Sequence, residues 1–321
     1  MTPDQNWSPA QFRSRRTSSI RARPSGACPA LSLALSTILA GGIGGCGGSP
    51  DADQAKTEPA VDSQIPQPEV TVHYLGHASF LMSFDDTLQV LTDYGESNAY
   101  GLNSPIFPLG DSKPQVVTLS HDHPDHAGGL LPPAYDTLLR GEGAYRRGDL
   151  TITPIPTFEG GLESPDNISF LFEYRGLTIL HLGDCQGLMV ALGEYTRGPE
   201  AMGQDSLATA PPALGAKDRI GLLYPDRYDL VLLPIGFVRD ILGEAAEFAT
   251  LLDAGAVVPM HYWAPADRDA FLDLLKGRTD SRGRSFHIRK EPGATISVTP
   301  GLRTDNYVEV VGLSPGQPRT S

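Results

Sequence analysis

From residue 69 onward, short apolar runs alternate with turn residues, and this pattern predicts a chain rich in β-strands. The predicted strands cover residues 70–74, 79–84, 88–91, 115–120, 149–155, 167–174, 177–182, 230–234, 257–259, 286–290 and 294–298. Apolar residues at helical spacing predict helices over residues 244–252 and from Pro265 towards Gly277. We therefore expect one folded domain over residues 69–300, followed by a polar tail over residues 301–321.

The first 46 residues have the layout of an export signal. Residues 1–29 are polar and contain five arginines, whereas residues 30–43 are small, apolar and uncharged. Ile43-Gly44-Gly45-Cys46 resembles the lipobox of bacterial lipoproteins, in which the cysteine is lipidated and becomes the mature N-terminus. We expect residues 1–46 to be a lipoprotein-type signal peptide. An ordinary cleaved signal with a chance cysteine is the alternative.

Residues 47–68 combine Gly, Pro, Gln and acidic residues without periodicity, which predicts a flexible tether. Together with the signal, the tether predicts an exported protein of the bacterial cell envelope, anchored to the membrane through a lipid on Cys46. Cys28 lies in the signal, so Cys185 would be the single cysteine of the mature domain. No intrachain disulfide is expected there.

The charge of the chain argues against one class of partner. The chain has 25 basic and 38 acidic residues, a net charge of −13, and residues 1–46 contain five Arg and one Asp. Cleavage of the signal would leave 20 basic and 37 acidic residues, a net charge of −17. Because nucleic acids are bound mainly through Lys and Arg, we expect no nucleic-acid groove.

A cluster of metal-type side chains follows the predicted strand over residues 115–120. Residues 118–129 read Thr-Leu-Ser-His-Asp-His-Pro-Asp-His-Ala-Gly-Gly, so three of the eight histidines fall within six positions. Imidazoles and carboxylates crowded on one short loop would repel one another or remain unpaired unless a divalent cation collects them. Three more such residues, Glu159, Asp184 and His261, follow later predicted strands.

Several motifs together resemble the metallo-β-lactamase superfamily, and in detail its branch of ascorbate-phosphate-lactonase-like hydrolases. They are Gly-His-Ala-Ser at residues 76–79, Ser-His-Asp-His-Pro-Asp-His at 120–126, His-Leu-Gly-Asp at 181–184, Leu-Leu-Pro-Ile-Gly at 232–236 and Pro-Met-His-Tyr at 259–262. The resemblance covers roughly residues 70–276. It implies an α/β fold of the αββα type, a four-layer sandwich of two mixed sheets with helices outside, and a dinuclear metal site at one edge.

The resemblance also implies the ligands, position by position. His121 and His123 would hold the first metal, Asp125, His126 and His261 the second, and Asp184 would bridge both. Asp125 would also orient the nucleophile and is the expected catalytic residue. Asp93 and Asp122 are expected to fix the orientation of imidazoles.

The chain departs from the family where a third histidine of the first metal site is expected. Residues 157–161 read Thr-Phe-Glu-Gly-Gly, so Glu159 stands in its place. Glu159 could itself be the ligand, and a carboxylate favours manganese or iron relative to zinc, although zinc also accepts it. The alternative is a weakly bound first metal. We expect two divalent cations, zinc or manganese, with iron as a further option.

These features predict a metal-dependent hydrolase that attacks a small-molecule ester, such as a phosphodiester or lactone, with a metal-bound hydroxide. A catalytically weakened binding lipoprotein and an oxygen-using iron enzyme are the alternatives. Residues 185–228 contain an inserted loop to which no role is assigned. Two interpretations stay open for His77, Arg239, Tyr262 and Trp263, which could face the site or be structural. His181 and Cys185 are expected to be packed in the interior.

Overall fold

Two β-sheets form the part of the chain that the structure, a computed structural model, describes. That part comprises residues 67–84, 88–132, 134–141, 143–157, 159, 166–185, 227–236 and 242–318. The expected signal peptide, nearly all of the tether, most of the 185–228 segment and Arg239 lie outside the described residues.

One sheet has six strands. Their order is β13 (Thr295–Val298), β1 (Val70–Gly76), β2 (Ser79–Ser83), β3 (Gln89–Thr92), β4 (Val116–Thr118) and β5 (Thr137–Leu139). Strands β13, β1, β2 and β3 pair antiparallel, whereas β3, β4 and β5 are parallel. The carboxyl ends of β3 and β4 therefore lie at the same edge.

The second sheet has eight strands. Their order is β12 (Ser285–Lys290), β14 (Tyr307–Gly312), β11 (Ala254–Met260), β10 (Tyr228–Pro234), β9 (Leu177–His181), β8 (Asn167–Tyr174), β7 (Leu150–Thr157) and β6 (Tyr145–Arg147). Strands β12, β14, β11, β10 and β9 are parallel, and β9, β8, β7 and β6 pair antiparallel.

Helices lie at the site and beside the eight-stranded sheet. The described helices are α1 (Pro124–Ala127), α2 (Leu242–Leu251) and α3 (Pro265–Leu275). Helix α2 packs on α3, and α3 contacts β11, β12 and β14. None of the helices among the described residues has the length and apolarity needed to cross a bilayer.

The main core lies between the two sheets. Alternate residues of β1, Val70 and Val72, share one buried cluster with Ile152, Phe172 and other inward residues of the eight-stranded sheet. Residues on the other face of the six-stranded sheet, such as Leu81, Leu91 and Val117, form a smaller cluster with Ile106 and Leu109 of the 94–114 loop. Strands β2, β3 and β4 thus contribute alternate residues to the two clusters, as a period of two predicts. Together with the helices, this arrangement confirms the expected α/β sandwich of two mixed sheets.

Replacing Phe172 by alanine should lower the free energy of unfolding by about 3–5 kcal/mol, because it removes a fully buried ring from this core. Chemical denaturation of purified protein measures the change. Leu130→Ala is the matched control, since Leu130 is 92% exposed and its loss should change stability by less than about 0.5 kcal/mol. Equal effects of the two substitutions would contradict the described core.

The expectation of a polar tail after residue 300 is wrong for residues 307–312. These residues form β14, which inserts between β11 and β12, and Val308, Val310 and Val311 are buried. The following residues stay attached, because the backbone N–H of Gly316 donates to the carbonyl of Tyr74 at 3.1 Å. The domain therefore extends beyond residue 300.

Candidate metal centre

The expected site residues come together at one edge of the sandwich. Strand β4 ends just before His121, and Pro124 starts helix α1, whose single turn carries Asp125 and His126. Glu159, Asp184 and His261 follow β7, β9 and β11 respectively. Loops that follow parallel strands meet at one edge, so residues far apart in sequence converge there.

One set of side chains is dominated by imidazoles, and we call it the histidine-rich group. Its members are His77, Asp125, His126 and His261. All four are buried, and their ligand-type atoms lie within 4.8 Å of one another. The Nε2 atoms of His126 and His261 are 3.0 Å apart, and each is 3.7 Å from Asp125 Oδ2.

A second set contains two carboxylates, and we call it the carboxylate-rich group. Its members are His121, His123, Glu159 and Asp184, again with ligand-type atoms within 4.8 Å of one another. Glu159 Oε1 lies 3.2 Å from His123 Nδ1, and Glu159 Oε2 lies 3.6 Å from His121 Nε2. Glu159 therefore occupies the position that the sequence left open, beside both histidines of the expected first site.

Both groups draw on both sheets. In the histidine-rich group, His77, Asp125 and His126 belong to the six-stranded sheet and its loops, whereas His261 follows β11 of the eight-stranded sheet. Asp184 Oδ1 lies 3.6 Å from His261 Nε2, so it also adjoins the histidine-rich group. The bridging role that the resemblance implied for Asp184 stays a prediction.

Asp93 and Ser120 set the protonation of two histidines. Ser120 Oγ and the Ser120 backbone N–H each donate to Asp93 at 2.7 Å, and His126 Nδ1 donates to Asp93 Oδ2 at 2.9 Å. Since the Ser120 hydroxyl proton points to Asp93, Ser120 Oγ accepts from His121 Nδ1 at 3.0 Å. His121 and His126 are thereby left with unprotonated Nε2 atoms facing the centre.

Asp93→Asn should weaken metal binding by about 10–100-fold, because the hydrogen bonds that orient ligating histidines affect affinity to that extent. Competition with a chromophoric chelator measures the affinity. Asp136→Asn is the control, since Asp136 is an exposed carboxylate that pairs with Arg147. Unchanged affinity in Asp93→Asn would contradict the orienting role.

His261 is fixed in the same way from the other sheet. Its Nδ1 donates to the carbonyl of Gly236 at 2.6 Å, which directs Nε2 towards the centre. His77 and His261 both have positive φ angles, 53° and 54°, and the backbone N–H of His261 donates to the carbonyl of His77 at 2.8 Å. Such conformations are uncommon for residues with side chains and concentrate at functional sites.

The charges of the centre are poorly balanced among the protein groups alone. Burial and the neighbouring Asp184 carboxylate raise the pKa of Glu159 to about 8, and burial raises the pKa of Asp184. Burial lowers the pKa of His121 to about 3. Burial opposes protonation of His261, but Asp184 and Asp125 together raise its pKa to about 9. Buried carboxylates crowded beside one another are a setting that a cation would stabilise.

Four buried polar atoms of the centre have no hydrogen-bond partner in the described residues: His77 Nδ1, His121 Nε2, Asp125 Oδ1 and Asp184 Oδ1. Buried polar atoms are ordinarily paired, so another partner is expected. Three of the four, those of His121, Asp125 and Asp184, belong to the expected metal ligands and are lone-pair donors of the kind that bind zinc, manganese or iron. The residues present therefore fit divalent cations.

Other predicted residues have clear positions. The expectation that Asp122 orients an imidazole is wrong, because its exposed carboxylate pairs with Arg140. His181 is buried and donates to the Ala78 carbonyl, and Cys185 is buried, as expected for packed residues. Tyr262 is also buried, and its hydroxyl donates to the Leu313 carbonyl.

The sequence left the role of His77 open, and in the structure His77 joins the histidine-rich group. Tyr100, by contrast, was not selected from the sequence. Tyr100 is 61% exposed on a short turn with a φ of 56°. Partial burial and the carboxylates of Asp125, Glu159 and Asp184 raise the pKa of Tyr100, so it lies within electrostatic reach of both groups. No local motif marks it, since it lies in a Gly- and Asn-rich loop.

Known proteins resemble the chain over most of its described part. Residues 71–192 match the family model described as β-lactamase superfamily domain. The UPF0173 metal-dependent hydrolase of Pyrobaculum aerophilum is 27% identical over 239 residues, covering 71% of this chain and 99% of the relative. That of Pyrobaculum calidifontis is 29% identical over 203 residues, covering 60% and 83%.

A solved structure of a metallo-β-lactamase superfamily protein from Thermotoga maritima is 21% identical, with a TM-score of 0.48, and the match covers 76% of this chain and all of that chain. The narrower resemblance to ascorbate-phosphate-lactonase-like hydrolases remains a prediction. Residues 71–192 are therefore similar to the β-lactamase superfamily domain, and the described residues form an α/β sandwich of two mixed sheets.

Proposed function

We propose that the protein is a metal-dependent hydrolase that binds two divalent cations, one in each group, and cleaves a small-molecule ester such as a phosphodiester or lactone. The observation that carries the proposal is the pair of adjacent four-residue groups with three buried, unpartnered ligand atoms. The curated relatives from Pyrobaculum are named metal-dependent hydrolases, which supports the same reaction class.

Bound divalent cations supply a nucleophile from water at neutral pH and polarise the oxygen of the substrate. The residues of the chain prepare the centre for this chemistry. His121 and His126 present unprotonated Nε2 atoms, because each Nδ1 donates to a fixed acceptor. The Nδ1 of His261 donates to the Gly236 carbonyl, which directs its Nε2 towards the same centre. Asp125 lies among these imidazoles and is the proposed residue that orients the nucleophile. No nucleophilic side chain is required.

We propose that Tyr100 and Trp263 contact the substrate. Trp263 packs beside His77 and His261, with ring centroids 4.6 and 5.6 Å away. Tyr100 stands on a turn whose base is tied to the metal-site helix, since the Glu96 backbone N–H donates to the Pro124 carbonyl at 2.7 Å. An aromatic face and a phenolic hydroxyl beside the centre fit an ester with both apolar and polar parts.

The carboxylate-rich group favours a harder cation than a three-histidine site would. It offers two carboxylates and two imidazoles, a donor set that manganese and iron accept as well as zinc. We therefore propose manganese or zinc as the working metal of the hydrolase. An oxygen-using iron enzyme is the competing proposal, and it predicts oxygen uptake that the hydrolase lacks.

Metal analysis and a substrate screen test the proposal. The purified domain should retain about two equivalents of divalent metal and hydrolyse a member of a panel of esters, lactones and phosphodiesters with manganese, zinc or iron added singly. Asp125→Ala should lose turnover. A wild-type domain that binds no metal would reject the hydrolase in favour of a weakened binding protein.

Glu159→His tests the departure from the family. Higher metal occupancy in that variant than in the wild type would show that Glu159 holds metal poorly.

We also propose that the protein is exported to the bacterial envelope and anchored by lipid on Cys46, which the sequence of residues 1–46 supports. Cys46→Ser should abolish incorporation of labelled fatty acid and shift the protein from the membrane to the soluble fraction. Cys28→Ser is the matched control and should change neither. Labelling of the Cys46→Ser protein would refute lipid attachment at this residue.

A further inference from the structure

His77 lies on the turn between β1 and β2, where its ring is almost fully buried beside Asp125. His77 Nε2 is 3.0 Å from Asp125 Oδ2. The second ring nitrogen, Nδ1, is buried and has no hydrogen-bond partner in the described residues. These two observations determine where the single proton of the neutral ring lies.

A proton on Nδ1 would be doubly unfavourable. It would leave a buried N–H donor without an acceptor, and it would face the Nε2 lone pair towards the lone pairs of a carboxylate. A proton on Nε2 instead makes a hydrogen bond to Asp125. The same reasoning argues against His77 as a metal ligand through Nε2, because ligating histidines almost always donate their other ring N–H to a partner.

The hydrogen bond distinguishes the two oxygens of Asp125. Oδ2 accepts a hydrogen bond from His77 Nε2, whereas Oδ1 is buried and has no hydrogen-bond partner among the residues that the structure describes. We propose that His77 is a positioning residue that holds the Asp125 carboxylate by Oδ2 and so reserves Oδ1 for the cation of the histidine-rich group. This inference rests on the proposed metal-dependent function.

The backbone and ring of His77 are held from several sides. Its carbonyl accepts hydrogen bonds from the Tyr74 hydroxyl at 3.0 Å and from the His261 backbone N–H at 2.8 Å. Its ring lies between those of His261 and Trp263, with centroids 4.0 and 4.6 Å away. Fixed contacts of this kind allow an uncommon backbone conformation to persist, and they keep the ring directed at Asp125.

Metal affinity of matched variants tests the inference without reference to turnover. His77→Phe keeps a planar ring but removes the donor, and it should weaken manganese or zinc binding by about 10–100-fold. His77→Gln places an amide N–H near the position of Nε2, so its affinity should stay within about 3-fold of wild type by the same scale. His287→Gln is the control, because His287 is an exposed strand histidine.

Two results would overturn the inference. Wild-type affinity in His77→Phe would show that the ring serves only as packing, and equal weakening in His77→Gln and His77→Phe would indicate a ligating nitrogen. The absorption spectrum of the cobalt-substituted protein separates these cases, because loss of a ligand changes it and loss of an outer hydrogen bond leaves the coordination number unchanged.

NMR of the metal-free protein makes the inference independent of the proposed function. With ¹⁵N-labelled histidine, the His77 signal, assigned by its absence in His77→Gln, should show a proton on Nε2. A proton on Nδ1 would overturn the inference even if the protein binds metal. Failure of the wild-type protein to bind metal, with the Nε2 proton present, would instead reject the proposed function and leave the contact with Asp125 as purely structural.

Discussion

Ending the chain after residue 300 should leave a protein that does not fold. The deletion removes β14, which pairs with β11 on one side and β12 on the other. It also removes Val308, Val310, Val311 and Leu313, all of which are buried in the main core. Each such residue contributes about 1.5–3 kcal/mol, so their sum approaches the whole stability of a typical domain. Circular dichroism and thermal unfolding should show no cooperative transition.

A chain that ends after residue 318 is the control for this truncation. It loses only residues 319–321, which lie outside the described part, and should unfold like the full-length protein. A cooperative transition within a few degrees of wild type in the shorter chain would contradict the position of β14. The comparison also decides whether the domain boundary lies near residue 300, as its polar flanking sequence suggested, or beyond it.

Asp184→Asn should stabilise the metal-free protein while impairing metal binding. Asp184 is buried near Glu159, and a buried carboxylate beside another one disfavours the folded state at neutral pH. Removing its charge should raise the free energy of unfolding by about 0.5–2 kcal/mol, the range typical of single stabilising substitutions. Metal affinity should fall by more than about 100-fold, since a ligand should matter more than an outer hydrogen bond.

Denaturation with and without metal measures both effects of Asp184→Asn. Wild-type protein should gain stability when metal is added, and the variant should gain little. Asp122→Asn is the matched control, because Asp122 belongs to the same loop but its carboxylate is exposed and paired with Arg140. A metal-free Asp184→Asn protein less stable than wild type would show that the carboxylate has a structural partner.

The sequence predicted those parts of the fold whose signals are local. Strands β1, β2 and β8 follow apolar runs bounded by turn residues, and Pro265 starts α3 where expected. Strand β14 was missed although Val308, Val310 and Val311 are apolar. Its burial depends on pairing with β11 and β12, and local polarity around it resembles that of a tail.

The candidate site was predictable to the extent that its residues are chemically distinctive. The cluster over residues 121–126 indicated a metal, and the resemblance supplied Asp184 and His261. The orienting contacts required the structure, because which of Asp93 and Asp122 reaches a histidine depends on the turn after β3 and not on residue type. Tyr100 and the pairing of His77 with Asp125 are likewise products of tertiary contacts.

The placement of each group across both sheets has a mechanical consequence. A cation held by residues of both sheets would link the two sheets at that edge of the sandwich. At a free metal concentration 100 times the dissociation constant, each bound cation would add about 2.7 kcal/mol to the free energy of unfolding. Chelation should therefore speed amide hydrogen exchange first at the ends of β4, β9 and β11, while the opposite edge, where Arg284 pairs with Asp253 and Asp280, keeps its protection.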